Sequence, residues 1–245
     1  MVLDEADRLL DDRNIESVKA VLKTTLKERR IIAVSASFDN RAVERLKEIS
    51  DFEFMDLNGG NAVLNNIKHY YIVSELREKT DVLRKLIRGL SAEKTLVFVN
   101  NNENIGVIVE KLNFHGIAAE GTFGKAGSIE RKNAIEGFKS GKARVLVSSD
   151  LSSRGLDIPD ITHIINIDIP EDPVFYMHRA GRTGRNKKSG TVISIATEYE
   201  TRFISRISRK LKIDIARREM SYGDLKPVKK SIKNNNIKIN NKGEI

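Results

Sequence analysis

The chain has 245 residues, enough for one large domain or two modest ones, and at 40% hydrophobic it can build a packed core, which excludes a wholly disordered protein. Lys and Arg number 43 against 34 acidic residues, a net charge of +9 that favours a polyanionic partner, nucleic acid before an acidic membrane. There is no Cys, which excludes disulfides and thiolate metal sites, the four His (His69, His115, His163, His178) share no ligand spacing, and no apolar run nears the roughly 18 residues of a membrane span; with an acidic start unlike a secretory signal, a cytoplasmic protein is expected.

Along the chain, short β-branched runs alternate with longer stretches of helical period. A scrap of apolar sequence, Met1–Leu3, runs straight into Asp4 and Glu5, and a second short run covers Ile31–Val34. Residues Asp56–Asn66, DLNGGNAVLNN, carry two Gly and four Asn and read as a linker. IKHYYIV then starts a new strand, and further strands are predicted at Thr95–Val99, Arg144–Ser148, His163–Ile167 and Thr191–Ala196. These runs are nearly continuous rather than alternating, which suits strands buried on both faces of a parallel sheet. Between them, Leu83, Leu86, Ile87 and Leu90, and likewise Ile105, Ile108, Val109 and Leu112, fall at i, i+3, i+4, i+7, the stripe of an amphipathic helix. The pattern is α/β with a parallel sheet: a partial domain over 1–56, a linker over 57–66, a whole domain over 67–215 and a tail over 216–245. Lys226–Ile245 holds six Lys, five Asn and one acidic residue, a composition that cannot pack a core, so disorder is expected there.

In open parallel sheets, ligands bind beyond the carboxyl ends of the strands. Those ends carry Asp4-Glu5, Ser35-Ala36-Ser37, Asn100-Asn101 and Ser149-Asp150 followed by Ser153-Arg154-Gly155-Leu156-Asp157. The densest signal is His178-Arg179-Ala180-Gly181-Arg182-Thr183-Gly184-Arg185, three guanidinium forks and a His interleaved with Gly. Gly permits close backbone approach, and the fork matches phosphate oxygens in pairs.

Four of these stretches together, DEAD at Asp4–Asp7, SAS at Ser35–Ser37, SSDLSSRGLD at Ser148–Asp157 and HRAGRTGR at His178–Arg185, occur in an order that resembles the DEAD-box RNA helicases, and the resemblance reaches to about Leu211. It implies a RecA-like helicase domain with a parallel sheet, preceded by a partial RecA-like domain, and an enzyme that uses ATP to unwind or remodel RNA. By the same resemblance, Asp4 would hold Mg²⁺ through water and Glu5 would orient or deprotonate the attacking water. Arg182 and Arg185 would be arginine fingers, of a kind worth on the order of 10³–10⁵ in rate. Asp157 and Gly155 would serve ATP binding. Asp7, Ser35, Ser37 and His178 would couple the two domains. Ser149, Asp150, Arg154, Arg131 and Asn100 would face RNA, through phosphates and ribose with little sequence preference. A monomer is expected.

The sequence departs from the family in places. Ser128-Ile129-Glu130-Arg131 stands where the family often has Gln-x-x-Arg, so Arg131 remains as a phosphate contact while the Gln is Ser. The family's phosphate loop, GxxxxGK[ST], occurs nowhere in the 245 residues. The polypeptide therefore reads as the back part of a helicase, expected not to hydrolyse ATP at a useful rate by itself. A non-catalytic RNA-binding module is the alternative, and a DNA translocase of the wider superfamily a third reading.

Overall fold

The computed structural model describes residues 1–35, 38, 40–55, 64, 66–90, 92–122, 128–150, 152–153, 158–185, 188–221 and 224–228. The first unit is small. Strands β1 (Val2–Asp4) and β2 (Ile32–Val34) pair in parallel, Leu3 opposite Ala33, and three helices pack beside them: α1 (Ala6–Leu9), α2 (Ile15–Thr24) and α3 (Asn40–Ile49). Its core gathers Leu3, Ala6, Leu10, Ile15, Val18, Leu22, Ala42 and Leu46. The spacing of Ile15, Val18 and Leu22 gives α2 its single buried face.

The second unit is an eight-stranded sheet. Its strands are β3 (Ile67–Val73), β4 (Thr95–Val99), β5 (Ala119–Thr122), β6 (Val145–Ser149), β7 (His163–Asn166), β8 (Gly190–Ala196), β9 (Ala216–Ser221) and β10 (Asp224–Pro227). They lie in the order β10-β9-β3-β8-β7-β4-β6-β5. All neighbours are parallel except β9 and β10. Every residue of β4 and of β6 is buried, as continuous apolar runs in a doubly covered sheet require. Helices α4 (Lys79–Gly89) and α5 (Glu103–Phe114) cover one face through Leu83, Leu86, Ile87, Ile105, Ile108 and Leu112. Helices α6 (Ser128–Lys139), α7 (Pro173–Ala180) and α8 (Thr201–Leu211) cover the other through Ala134, Phe138, Tyr176, Ala180, Ile204 and Ile207. Among the described residues no helix is long and apolar enough to cross a membrane.

Two boundaries differ from the sequence expectation. Residues from 216 were assigned to a disordered tail, yet β9 pairs with β3 at Ala216 and Arg217, and β10 runs antiparallel beside it. The strand was hidden by its charges. Arg217 and Glu219 point to solvent, while Arg218 lays its guanidinium over the Tyr70 ring at 4.7 Å, so its stem counts as apolar cover. Leu64, placed in the linker, is buried in the second core, and its carbonyl is bonded by His69. Residues 56–63, 65 and 229–245 lie outside the described residues.

Candidate functional site

Strand β1 delivers Asp4 and Glu5 at its carboxyl end. Glu5 has φ 51°, the left-handed region that a non-glycine residue occupies at a cost of about 1–3 kcal/mol. Its N–H donates to Asp4 Oδ1 at 2.9 Å, and its carbonyl accepts from the N–H groups of Arg8 and Leu9, so the strained residue starts α1. One turn on, Asp7 Oδ1 accepts the Ser35 hydroxyl at 2.6 Å, tying the end of β1 to the end of β2.

The cationic side comes from α7. Pro173 opens the helix and Asp172 caps it, its Oδ1 accepting the Val174 N–H at 2.9 Å. Arg179 is 1% exposed, and all five of its N–H donors are used. Nε donates to Asp150 Oδ1 at 2.7 Å. Nη2 donates to Asp150 Oδ2 at 2.6 Å and to Asn100 Oδ1 at 2.9 Å. Nη1 donates to Asn166 Oδ1 at 3.2 Å and to the Asp168 carbonyl at 2.8 Å. One side chain thus staples α7 to the carboxyl ends of β4, β6 and β7.

The two units meet at α7. Arg8 lies over the Phe175 ring at 4.6 Å, and its Nη2 is 3.4 Å from His178 Nδ1. Arg can only donate, so Nδ1 is the accepting nitrogen of a neutral imidazole. Burial, and then the Arg8 charge, hold the His178 pKa below its ordinary value. Glu5, Arg8, His178 and Arg182 line one crevice with Asp150 and Ser153, which leaves room for about one water molecule. Burial and the neighbouring Arg185 lower the Arg182 pKa, while Glu5 and Asp150 oppose them; as an arginine it stays charged. Arg182 also borders a cleft of about 710 Å³ with Arg185, Lys94 and Lys188, four cations against Glu93 and Asp160.

Of the RNA-facing candidates, Asn100 and Asp150 engage Arg179, Ser149 is buried with its hydroxyl 3.2 Å from that of Ser152, and Arg131 Nη2 donates to the Ser152 carbonyl at 3.0 Å. They gather at one edge of the sheet. Ser37, Arg154, Gly155 and Asp157 lie outside the described residues. Sequence reasoning gave no role to Arg179 or Arg8. For Arg179 a signal was present: Tyr176, Arg179 and Ala180 stand at i, i+3, i+4, the buried face of α7.

The donors of these residues match the chemistry of a nucleotide's phosphates. Arg8 Nη1 is buried without a hydrogen-bond partner, beside Glu5 and Arg182, and so suits an anionic oxygen or a water. For Mg²⁺ the described residues hold no cluster of three carboxylate, His or Cys groups. Asp4, exposed, with Oδ1 already accepting an N–H, suits a hydrated ion that arrives with phosphates, the usual state of Mg²⁺.

The fold and the motif order define a helicase-type RecA-like unit, and a family model described as the helicase conserved C-terminal domain matches residues 78–187. The chain is 33% identical over 227 residues to the probable ATP-dependent RNA helicase YfmL of Bacillus subtilis, covering 92% of this chain and 60% of that one. Saccharomyces cerevisiae Dbp5 bound to RNA and ADP BeF3 superposes with a TM-score of 0.78 at 27% identity, over 88% of this chain and 58% of that one. A Dbp5 variant bound to Nup159, Gle1, IP6 and ADP gives a TM-score of 0.59 at 26% identity, over 88% of this chain and 58% of that one. The chain carries a helicase conserved C-terminal domain, its relatives are DEAD-box RNA helicases, and it spans about three fifths of the length of the curated relative named here.

Proposed function

We propose that this chain supplies the water-activating and arginine-finger side of an ATP-dependent RNA helicase. The observation that carries the reading is the shared crevice: Glu5 from β1 and Arg182 from the end of α7, on separate units, line one small space. Glu5 would orient or deprotonate the attacking water. Arg182 and Arg185 would meet charge developing on the terminal phosphate, and Mg²⁺ would neutralise the phosphates from the Asp4 side. Asp157 and Gly155 would hold the nucleotide. Asp7, Ser35, Ser37 and His178 would pass closure from one unit to the other. The likeness to the RNA- and ADP BeF3-bound form of Dbp5 supports this arrangement.

RNA would lie along the edge carrying Asn100, Arg131, Ser149, Asp150 and Arg154. Because Arg179 already holds Asn100 and Asp150, those two would act mainly by fixing the loops that present the others. Contacts would run to phosphate and ribose, with little sequence preference. The protein would work as a cytoplasmic monomer.

A second reading, an RNA-binding module without turnover, is favoured by one observation: four cations, Arg182, Arg185, Lys94 and Lys188, line a single cleft. One experiment separates the two. RNA-stimulated phosphate release by the purified chain, supplied with a separate domain that carries a GxxxxGK[ST] phosphate loop, supports catalysis by these residues when Glu5→Gln and Arg182→Ala abolish it. RNA binding with no release beyond the buffer rate supports the module. A chain that does neither sinks both.

A further inference from the structure

Helix α8 packs its Ile204 and Ile207 into the core beside α7 and turns a different face outward. Arg202, Arg206, Arg209 and Lys210 are exposed, and at spacings of four, three and one they form a single stripe. The helix TRFISRISRKL contains no acidic residue. The side chains of Arg206, Arg209 and Lys210 have neither an ion pair nor a hydrogen bond among the described residues. Like charges four residues apart weaken a helix by a few tenths of a kcal/mol per pair. Two cations in the last turn are enough to complement a helix dipole. This stripe starts nearly two turns earlier.

At its upstream end the stripe runs into an aromatic platform. The Arg202 guanidinium lies 3.7 Å from the Tyr199 ring centroid and 4.7 Å from that of Phe203, and it also bonds the Tyr199 hydroxyl. Tyr199 and Phe203 meet edge to face at 6.3 Å. Tyr199 is nonetheless 66% exposed, so one face of an immobilised ring is open to solvent. Glu198, Glu200 and Asp214 flank the two ends of the helix; Glu200 pairs with Lys79 at 2.7 Å, and none of the three lies within the helix.

We propose that this face of α8 is a second contact surface for single-stranded RNA, separate from the edge between the units, with phosphates on Arg206, Arg209 and Lys210 and a base stacked on Tyr199. A row of cations that ends in an exposed, held aromatic ring is what single strands use: the backbone follows the charge and any base can cover the ring. Tyr199 sits just past the carboxyl end of β8, three strand spacings or about 14 Å from that of β6. A strand lying past the carboxyl end of β6 can therefore continue onto α8. The surface lies outside the crevice, so its affinity does not depend on nucleotide. The inference rests on the RNA-helicase reading only for the identity of the strand.

The test is fluorescence anisotropy of a labelled 20-mer of uridylate with the purified chain across a salt series. Replacing Arg206, Arg209 and Lys210 together by Glu is expected to lower the slope of log affinity against log salt by about 2, at ~0.7 per single-strand phosphate contact. Tyr199→Ala is expected to weaken binding roughly tenfold with little change of slope. A second triple variant with Gln at the same positions serves if charge reversal disturbs folding, checked by circular dichroism. Wild-type affinity and slope in a folded triple variant overturn the proposal. If Arg131→Ala then abolishes binding, the fault lies with α8 alone. A wild-type chain that binds no RNA overturns the proposal together with the RNA reading. Equal affinity for polyglutamate reassigns the surface to an acidic protein and overturns it too.

Discussion

Arg179 and Asp150, 29 residues apart, form a two-pronged pair at 2.7 and 2.6 Å in which the arginine is wholly buried and the carboxylate three-quarters so. The pair joins α7, and with it the turn that carries Arg182, to the loop that follows β6. Removing one partner leaves the other's charge in the interior without compensation, at a cost of about 3–5 kcal/mol. Arg179→Ala and Asp150→Ala should each shift the urea midpoint of the chain strongly downward. Arg179→Lys should recover little, because an ammonium cannot reproduce five donors in a planar fork. Full stability in Arg179→Lys would contradict the staple.

Acid should destabilise the fold earlier than its carboxylates alone would. Burial holds the pKa of His69, His163 and His178 below the ordinary 6.5. A group with a depressed folded-state pKa binds fewer protons folded than unfolded, so its stability contribution is complete above 6.5 and declines as pH falls through and below that value. The melting temperature should therefore drop between pH 7.5 and 5.5. His69→Gln should start lower at pH 7.5 and lose less on acidification, and an unchanged acid loss in that variant would exclude His69 as a contributor.

The contact between the units can be read through one proton. Arg8 depresses the pKa of His178 by its charge and by helping to bury the ring. Arg8→Ala removes both effects, so the His178 pKa should rise toward its ordinary value. Titration of the His178 ring protons by NMR gives the answer directly, and an unmoved midpoint would mean that the units are apart in solution.

Two glycines bracket the segment that carries Arg185. Gly184 has φ 69°, and a Cβ there would stand 2.8 Å from Ile67 Cγ1. At Gly190 a Cβ would meet the Thr183 hydroxyl at 2.5 Å and the Gly184 nitrogen at 2.9 Å. Gly184→Ala and Gly190→Ala should each cost about 1–3 kcal/mol in chemical denaturation, from backbone strain in the first and overpacking in the second. Wild-type stability in both would show that the turn can relax.

The sequence disclosed the sheet where burial is simple. TLVFV and VLVSS are apolar or small at every position because both faces of the sheet are covered, and their shortness and β-branching set them apart from a buried helix. It concealed β9, because Arg218 is charged at its tip yet serves as a hydrocarbon stem against Tyr70. It also concealed AEGT, Ala119–Thr122, a short edge strand with Glu and Gly. In the site, the motif pointed to Arg182 and Arg185 as candidates and left the third arginine, Arg179, without a role. That division depends on helical phase: Arg179 shares the face of Tyr176 and turns inward, while Arg182 follows the helix end and reaches the crevice. Arg8 acquires its place only when the two units meet, a relation that no local pattern encodes.

His69 can bond both its neighbours in only one way. The Leu64 carbonyl accepts, so Nε2 carries the proton and Nδ1 takes the hydroxyl hydrogen of Tyr176, at 3.2 and 2.9 Å. Tyr176 stands two residues before His178 on the helix that meets Arg8. The incoming chain is therefore moored, through a single neutral imidazole, to the helix that the first unit grips. A pull on that chain reaches the arginine-bearing helix through one residue of β3, so tether and grip share one mechanical anchor.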